Sequence, residues 1–378
     1  MIVTRIQLRH FRNHTASELE FGAGVNALLG DNGQGKTNIL EAISYLGLTK
    51  SFYAAADARV VQFDEASFEV DGLMRDGGGR EHRVRVVFGR MAGVKEFTVD
   101  GLRPERLAAV IGRFPLVILS PDHGAVTSGG PSERRKFLDI TLAQVSPAYL
   151  EDLLEYRRVL RQRNLLLADG RRRGALSGAA LDPWTASLAV HAARIVARRR
   201  AFVEEFTAYV EPAYGRLVPS GERPGLEYLG AVDADGAKEI EAALLEAIGR
   251  TSREERQRGV TLVGPHRDDL RLLINGKDVQ QFASQGQHKT LLVAFKIAEF
   301  RYVQERRGEP PVFLLDDVFS ELDRARATRI LGLIEELGQC MITATDESVF
   351  HGALRWGGRH RRFAVQGGTA SATEESGA

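Results

Sequence analysis

Along the first 118 residues, apolar and polar positions alternate in short runs, the period-2 pattern of half-buried strands. Residues 2–8, 84–88 and 97–99 read as strands, with hairpin-type turns at 75–80 and at Asp100-Gly101. Two runs, 25–29 (VNALL) and 114–119 (FPLVIL), are nearly continuous in apolar residues and read as buried strands. From about 132 to 258 the alternation gives way to helical spacing. Leu150, Leu153, Leu154, Leu160 and Leu165 fall where one helix face would carry them, and Trp184, Leu188, His191 and Ile195 form a second stripe. Both stripes read as core rather than as a cofactor box. Glycine and arginine around 170–178 mark a flexible tip between two long helices. Beyond 258 the α/β pattern returns, with buried strands at 312–315 (VFLL) and 340–344 (CMITA). The prediction is an α/β fold in two parts, 1–118 and 259–366, separated by a mostly helical inserted lobe, 119–258. The small polar residues of the tail, 367–378, predict disorder.

Composition narrows the class. A chain of 378 residues predicts two or three domains. Hydrophobic residues at 43% and charged ones at 27% are ordinary for a water-soluble protein. The formal net charge of +1 announces no nucleic-acid binder, so local charge has to carry any such reading. The single cysteine, Cys340, lies in an apolar strand and has no partner for an internal disulfide, which fits a reducing compartment. No apolar run approaches the ~18 residues that span a bilayer, and the first residues lack the layout of a secretion signal. The expected setting is the cytoplasm, with no membrane partner.

Residues 30–37 (GDNGQGKT) fit G-x-x-x-x-G-K-[ST], a loop whose backbone N–H groups wrap a nucleoside triphosphate. Strand 25–29 feeds the loop and a helix start follows it, so a helix N-terminus is aimed at phosphate. Gly30, Asn32, Gly33, Gln34, Gly35, Lys36, Thr37 and Asn38 are the predicted nucleotide-binding residues. Asp316 and Asp317 end the apolar strand 312–315, at the sheet edge where open α/β folds bind ligands. Asp316 with Thr37 is the expected Mg²⁺ pair, Lys36 serves the phosphates, and Asp317 is placed to orient the attacking water. The alternative for the two acids is a solvated strand-end turn.

Ser284, Gln285, Gly286 and Gln287 precede a long apolar-periodic helix and make a second anion-binding surface. One phosphate site has no need of two such loops. The economical reading is that this one faces the nucleotide of another copy. Downstream, residues 320–323 (SELD) follow the acids and are placed to connect the two sites.

These stretches resemble the signature loop and the D-loop of ABC-type ATPases. LRHFRN (8–13), LTKSF (48–52), LSPDH and GGPSERRKFLD (119–139) and TLVGPHRDDL (261–270) are similar, in order, to the RecF family of bacterial DNA-repair proteins. The resemblance implies a head domain like that of SMC proteins without their long coiled coil. It implies two copies closing around two ATP molecules with Mg²⁺, Arg12 and Asn13 against phosphate, and DNA as the substrate surface. RecR, and RecO through it, are the implied partners, with recombinase loading at gaps as the outcome. Where ABC transporters carry Glu, this chain has Asp317, and where they carry a γ-phosphate-sensing His it reads ITATD (342–346), leaving Thr345 as a neutral donor. Gln62, Asp64 and Glu65 compete for the Q-loop position. Slow hydrolysis, with ATP as a timed clamp, is expected. A small-molecule kinase and a transporter ATPase are the competing readings, and the absence of Asn-Lys-x-Asp disfavours a GTPase.

Between Arg157 and Arg200 stand eleven arginines, no lysine and two acids. Arg157 with Arg161, and Arg194 with Arg198, can share helix faces and neutralise DNA phosphates without reading bases. The plainer alternative is a solvated basic face. His266, Arg267, Asp268 and Asp269 read as a structural or nucleotide-side network rather than a metal site.

Overall fold

The computed structural model describes the chain except residues 55, 175–176, 219–220, 320–323, 351–353 and 374–378. Strands β1 (Ile2–Phe11), β2 (His14–Glu20) and β3 (Val25–Leu29) lead into helix α1 (Lys36–Leu48). Strands β4 (Ser67–Arg75), β5 (Glu81–Gly89), β6 (Val94–Val99) and β7 (Leu116–Leu119) follow. Then come helices α2 (Ala125–Ser128), α3 (Pro131–Val145), α4 (Pro147–Arg173) and α5 (Gly178–Leu217), strand β8 (Pro224–Leu229) and helix α6 (Ala237–Arg258). The chain continues through β9 (Asp269–Ile274), β10 (Lys277–Asp278), α7 (Val279–Phe282) and α8 (Gln285–Arg307). It closes with β11 (Val312–Leu315), α9 (Arg324–Glu335), β12 (Cys340–Ala344), β13 (Arg361–Gln366) and β14 (Thr369–Ala372).

Two compact units result: residues 1–123 with 293–378, and residues 124–292. In the first, β2-β1-β4-β5-β6 form an antiparallel sheet. The alternating burial of β5 matches its alternating sequence, as a sheet with one solvated face requires. The second sheet runs β14-β13-β3-β12-β11-β7, parallel throughout except for the β13–β14 hairpin. Its strands β7, β11 and β12 are buried along their whole length, which is why they read as continuous apolar runs. Helix α1 shares one apolar core with residues of both sheets, and eleven of its thirteen residues are buried, so it cannot be amphipathic in the ordinary way. This burial fixes the direction of its N-terminus, where the glycine loop ends.

The second unit packs the long helices α4 and α5 with α3 and α6, and adds the antiparallel sheet β10-β9-β8. Three expectations change here. Residues 259–292 cluster with the helical lobe, whereas the sequence pattern grouped them with the α/β part. The predicted α4 stripe is only partly the core stripe: Leu154 is 40% and Leu165 58% exposed. The buried face instead carries Tyr149, Asp152, Leu153, Tyr156, Val159, Arg163 and Leu167, because its polar members meet partners from other elements. Finally, the tail expected to be disordered contributes β14, whose residues 369–372 pair with β13. The turn between α4 and α5 opens with Gly174 in the left-handed region.

Candidate nucleotide-binding site

The glycine loop leaves β3 and turns back into α1. Gly30, Gly33 and Gly35 have φ of 154°, 82° and 112°, values that side-chain-bearing residues rarely adopt. At Gly35 a Cβ would also stand 2.6 Å from Asn13 Oδ1 and 2.7 Å from His14 Nε2. At Gly33 nothing lies within 4 Å, so that side of the loop is open for a ligand's backbone approach. Lys36 Nζ donates to the carbonyl of Gly30 and, at 2.8 Å, to that of Asp31. Burial lowers the Lys36 pKa from the usual lysine value, against the opposing pull of Asp317, Asp316 and Asp31. An ammonium held only by two loop carbonyls and near acids is a ready partner for phosphate oxygens.

The acids sit at the C-terminal end of β11, as their sequence position predicts. Thr37 Oγ1 donates to Asp316 Oδ1 at 2.8 Å, and Thr343 Oγ1 donates to the same oxygen at 2.9 Å. Burial raises the Asp316 pKa, and the two hydroxyls act in the opposite direction. A hydroxyl and a buried carboxylate side by side form a hard-oxygen pair, the donor set that suits Mg²⁺. Asp317 is exposed, lies at φ 50°, and its N–H donates to Thr343 Oγ1 at 2.8 Å. That backbone conformation is tolerated better by Asp and Asn than by a longer acid. Thr345 follows directly after β12, at the position the sequence reading gave it, and is exposed; Thr343, inside the strand, is the threonine that bonds Asp316. Residues 320–323, the expected D-loop, lie outside the described residues.

Asn13 stands behind the loop, and Arg12 beside it is held by α1. Asn13 Nδ2 donates to Gln34 O at 3.0 Å, and Asn38 Nδ2 donates to Asn13 Oδ1 at 2.8 Å. Arg12 is engaged by Glu41 in two hydrogen bonds, Nε to Oε2 at 2.7 Å and Nη2 to Oε1 at 2.8 Å. These bonds raise its pKa further. Sequence reasoning missed Glu41, a carboxylate buried in the middle of α1, although its place in an otherwise apolar helix was visible. It missed His14 as well, whose Nε2 bonds Gly35 O at 3.0 Å and whose pKa burial lowers. Gln62 bonds Thr15 Oγ1 at 3.0 Å and His10 Nδ1 at 3.3 Å, at the edge of the antiparallel sheet.

In the second unit, Ser284 caps α8. Gln287 N donates to Ser284 Oγ at 3.3 Å, and Gln287 Oε1 accepts from Ser284 N at 2.9 Å, a reciprocal cap. Gln287 Nε2 also donates to Glu222 Oε1 at 3.0 Å. Ser284 and Gln285 are exposed, so the loop presents a helix N-terminus outward.

Known proteins match this arrangement. The model of the family described as RecF/RecN/SMC N terminal domain matches residues 2–361. A DNA replication and repair protein RecF from Chloroherpeton thalassium is 42% identical over 356 residues, 93% of this chain and 96% of that protein. Its counterpart from Salinibacter ruber is 40% identical over 99% of this chain and 93% of that protein. The chain belongs to the RecF family. Among solved structures, the recombination mediator protein RecF with ATP, described as part of the RecFOR pathway, superposes with TM-score 0.88 at 32% identity, covering 98% of this chain and 99% of that one. An SmcHead bound to a winged-helix domain of ScpA, 15% identical with TM-score 0.55 over 99% of this chain and 97% of that one, shares the fold.

For a RecF-family chain, the arginine-rich stretch is the second region of interest, and its residues divide. Arg163 and Arg199 are buried, the first held by Glu255, Thr185 and Thr261, the second by Asp139, Tyr149 OH and the Pro265 carbonyl. Arg194 and Arg198 converge on Asp152 at 3.3 and 2.6 Å, with His191 at 3.0 Å. Arg157 meets Asp139 at 2.9 Å. Arg161 is exposed on α4. His266, Asp268 and Asp269 are held by side-chain hydrogen bonds inside this unit, and Arg267 is exposed. Tyr156 OH bonds His266 Nδ1, Tyr228 OH donates to Asp268, and Arg134 holds Asp269 with two bonds of 2.7 Å. Among the described residues no helix is long and apolar enough to cross a membrane.

Proposed function

We propose that this chain is an ATP-dependent DNA-binding protein of replication and recombinational repair, in which ATP joins two copies into a clamp on DNA. The observation that carries the reading is the pairing of Thr37 with Asp316 directly below the glycine loop, in a chain of the RecF family. Lys36 and the loop N–H groups hold the triphosphate, and Thr37 with Asp316 holds Mg²⁺. Mg²⁺ held there would supply positive charge that offsets the charge of the triphosphate. Asn13 braces the loop from behind through the Gln34 carbonyl, and Arg12, kept in one orientation by Glu41, adds the phosphate contact that the family resemblance implies. Ser284 to Gln287 of the second copy caps the γ-phosphate, supported by the outward-facing α8 terminus.

Asp317 orients the attacking water. Its short side chain, and a neutral threonine in place of an imidazole nearby, make hydrolysis slow, below the ~10 s⁻¹ typical of enzymes. ATP then serves as a timer: its binding closes the clamp and its loss opens it. The DNA surface lies on the helical unit, where Arg161 together with Arg157, Arg194 and Arg198 contacts phosphates without base reading. RecR, with RecO, is the partner system; the RecFOR pathway named for the matched structure supports this. Family membership leaves the small-molecule kinase and transporter readings without support.

Light scattering with ATP and Mg²⁺ tests the reading. The parent chain should double in mass. Lys36→Met should stay monomeric because it loses nucleotide, and Ser284→Arg should bind nucleotide and still stay monomeric. Normal dimerisation of Ser284→Arg would remove the role assigned to that loop.

A further inference from the structure

The turn between β13 and β14 lies against the back of the phosphate loop, in the same compact unit. Gly367 N donates to Gln34 Oε1 at 2.7 Å, and Gly368 N donates to Gln34 O at 3.0 Å. The same Gln34 carbonyl accepts from Asn13 Nδ2 at 3.0 Å. Gly368 is buried at φ 76°, and a Cβ there would stand 2.0 Å from the Asn13 carbonyl oxygen, so only glycine fits. Three residues before Gly368, β13 blocks any side chain at Gly30, whose Cβ would meet Val365 O at 2.2 Å. Beside this contact runs a polar chain. Ser17 Oγ donates to Gly368 O at 3.2 Å, His14 Nδ1 lies 2.8 Å from Ser17 Oγ, and His14 Nε2 lies 3.0 Å from Gly35 O.

The Gln34 carbonyl is therefore anchored on the side of β1, β2 and the C-terminal hairpin. The Gly35 carbonyl, which accepts from Asn38 N and Ile39 N at 3.1 and 3.3 Å in the first turn of α1, is held from that side as well by His14. In a trans peptide the carbonyl and the following N–H point in opposite directions. Anchoring the Gln34 carbonyl aims the Gly35 N–H away from the anchor, and anchoring the Gly35 carbonyl does the same for Lys36 N–H. These are the amides that a phosphate needs facing it, already turned before it arrives.

We propose that the Gly367-Gly368 turn, with His14 and Ser17, is a positioning device for the phosphate loop, and that nucleotide affinity depends on the last strand of the chain. The inference rests on the nucleotide-binding reading above. The loop glycines supply flexibility, and the hairpin removes it. Gln34 is a loop residue whose side chain turns away from the ligand to tie the loop to the far end of the sequence.

The test is titration of a fluorescent ATP analogue in Mg²⁺, with melting temperature measured without nucleotide. It compares the parent, a chain ending at Gln366, a chain ending at Thr373, Gly368→Val, His14→Ala and His14→Gln. The parent and the chain ending at Thr373 should bind alike. The chain ending at Gln366 and Gly368→Val should lose roughly tenfold or more in affinity. His14→Ala should lose several-fold, and His14→Gln, which keeps a donor for Gly35 O, should recover most of it. His14→Ala should melt within a few degrees of the parent, so its loss is not general unfolding. Unchanged affinity in folded Gly368→Val, or equal affinity of His14→Ala and His14→Gln, overturns the inference while leaving nucleotide binding intact. A parent chain that binds no nucleotide removes the underlying reading instead.

Discussion

The glycine loop and the arginine-rich helices were both conspicuous in sequence, and the fold treats them in opposite ways. The glycines, Lys36 and Thr37 of residues 30–37 stay at the loop, with glycines in left-handed backbone, Lys36 on loop carbonyls and Thr37 on Asp316, while the Gln34 side chain is tied to the C-terminal hairpin. Of the arginines between 157 and 200, Arg163 and Arg199 are spent on folding, buried against Glu255 and Asp139, while the partly exposed Arg194 and Arg198 have part of their charge offset by Asp152. A phosphate loop is specified by backbone geometry that only its own residues supply. A basic stripe is specified by charge alone, and charge can be neutralised by any carboxylate the fold brings near. Counting arginines therefore overstates the surface offered to DNA, whereas a glycine-lysine spacing does not overstate a phosphate site.

The comparison is broken most forcefully at Arg163. Removing it as Arg163→Ala strands Glu255 in the interior and should cost about 3–5 kcal/mol in urea unfolding. If Arg163→Ala unfolds like the parent, the buried arginines are not structural and the contrast between the regions fails.

Acid should act on the helical unit next. Burial holds the His266 pKa down to about 4, so the folded protein favours the neutral ring. That contribution is fully present above about pH 6.5 and is lost as pH falls from there towards 4, a change of about 3 kcal/mol. Urea midpoints at pH 7 and pH 5 should separate for the parent and draw together for His266→Gln.

The smallest effect belongs to the exposed arginine. Arg161→Ala should leave stability within about 0.5 kcal/mol, weaken DNA binding only a few-fold and reduce the salt slope by about 1. A loss of stability at Arg161 as large as at Arg163 would erase the division between folding and surface arginines.

What was legible follows from the range over which each signal acts. Loop, acid pair and buried parallel strands are local patterns, and they appear where the spacing placed them. The α4 core stripe was misread because periodicity weighs only apolar residues. Asp152, Tyr156 and Arg163 are buried through partners in α5, α6 and the 261–269 segment, which no window on α4 contains. The C-terminal hairpin was misread because its composition is small and polar. Its order comes from pairing with β13 and from hydrogen bonds to Gln34, more than 330 residues earlier. Residues 259–292 were assigned by sequence neighbourhood to the α/β part, yet β9 pairs with β8 and draws them into the helical unit.

The central claim is that one copy's phosphate loop and another's Ser284 loop meet at a shared nucleotide. Mixing Lys36→Met with Ser284→Arg tests it most directly. Each variant alone lacks both composite sites, while the mixed pair contains one intact site, built from the Ser284→Arg copy's phosphate loop and the Lys36→Met copy's Ser284. Light scattering with ATP and Mg²⁺ should show monomers for each variant alone and a population of dimers for the equimolar mixture. A mixture that stays monomeric under conditions where the parent dimerises would contradict the account.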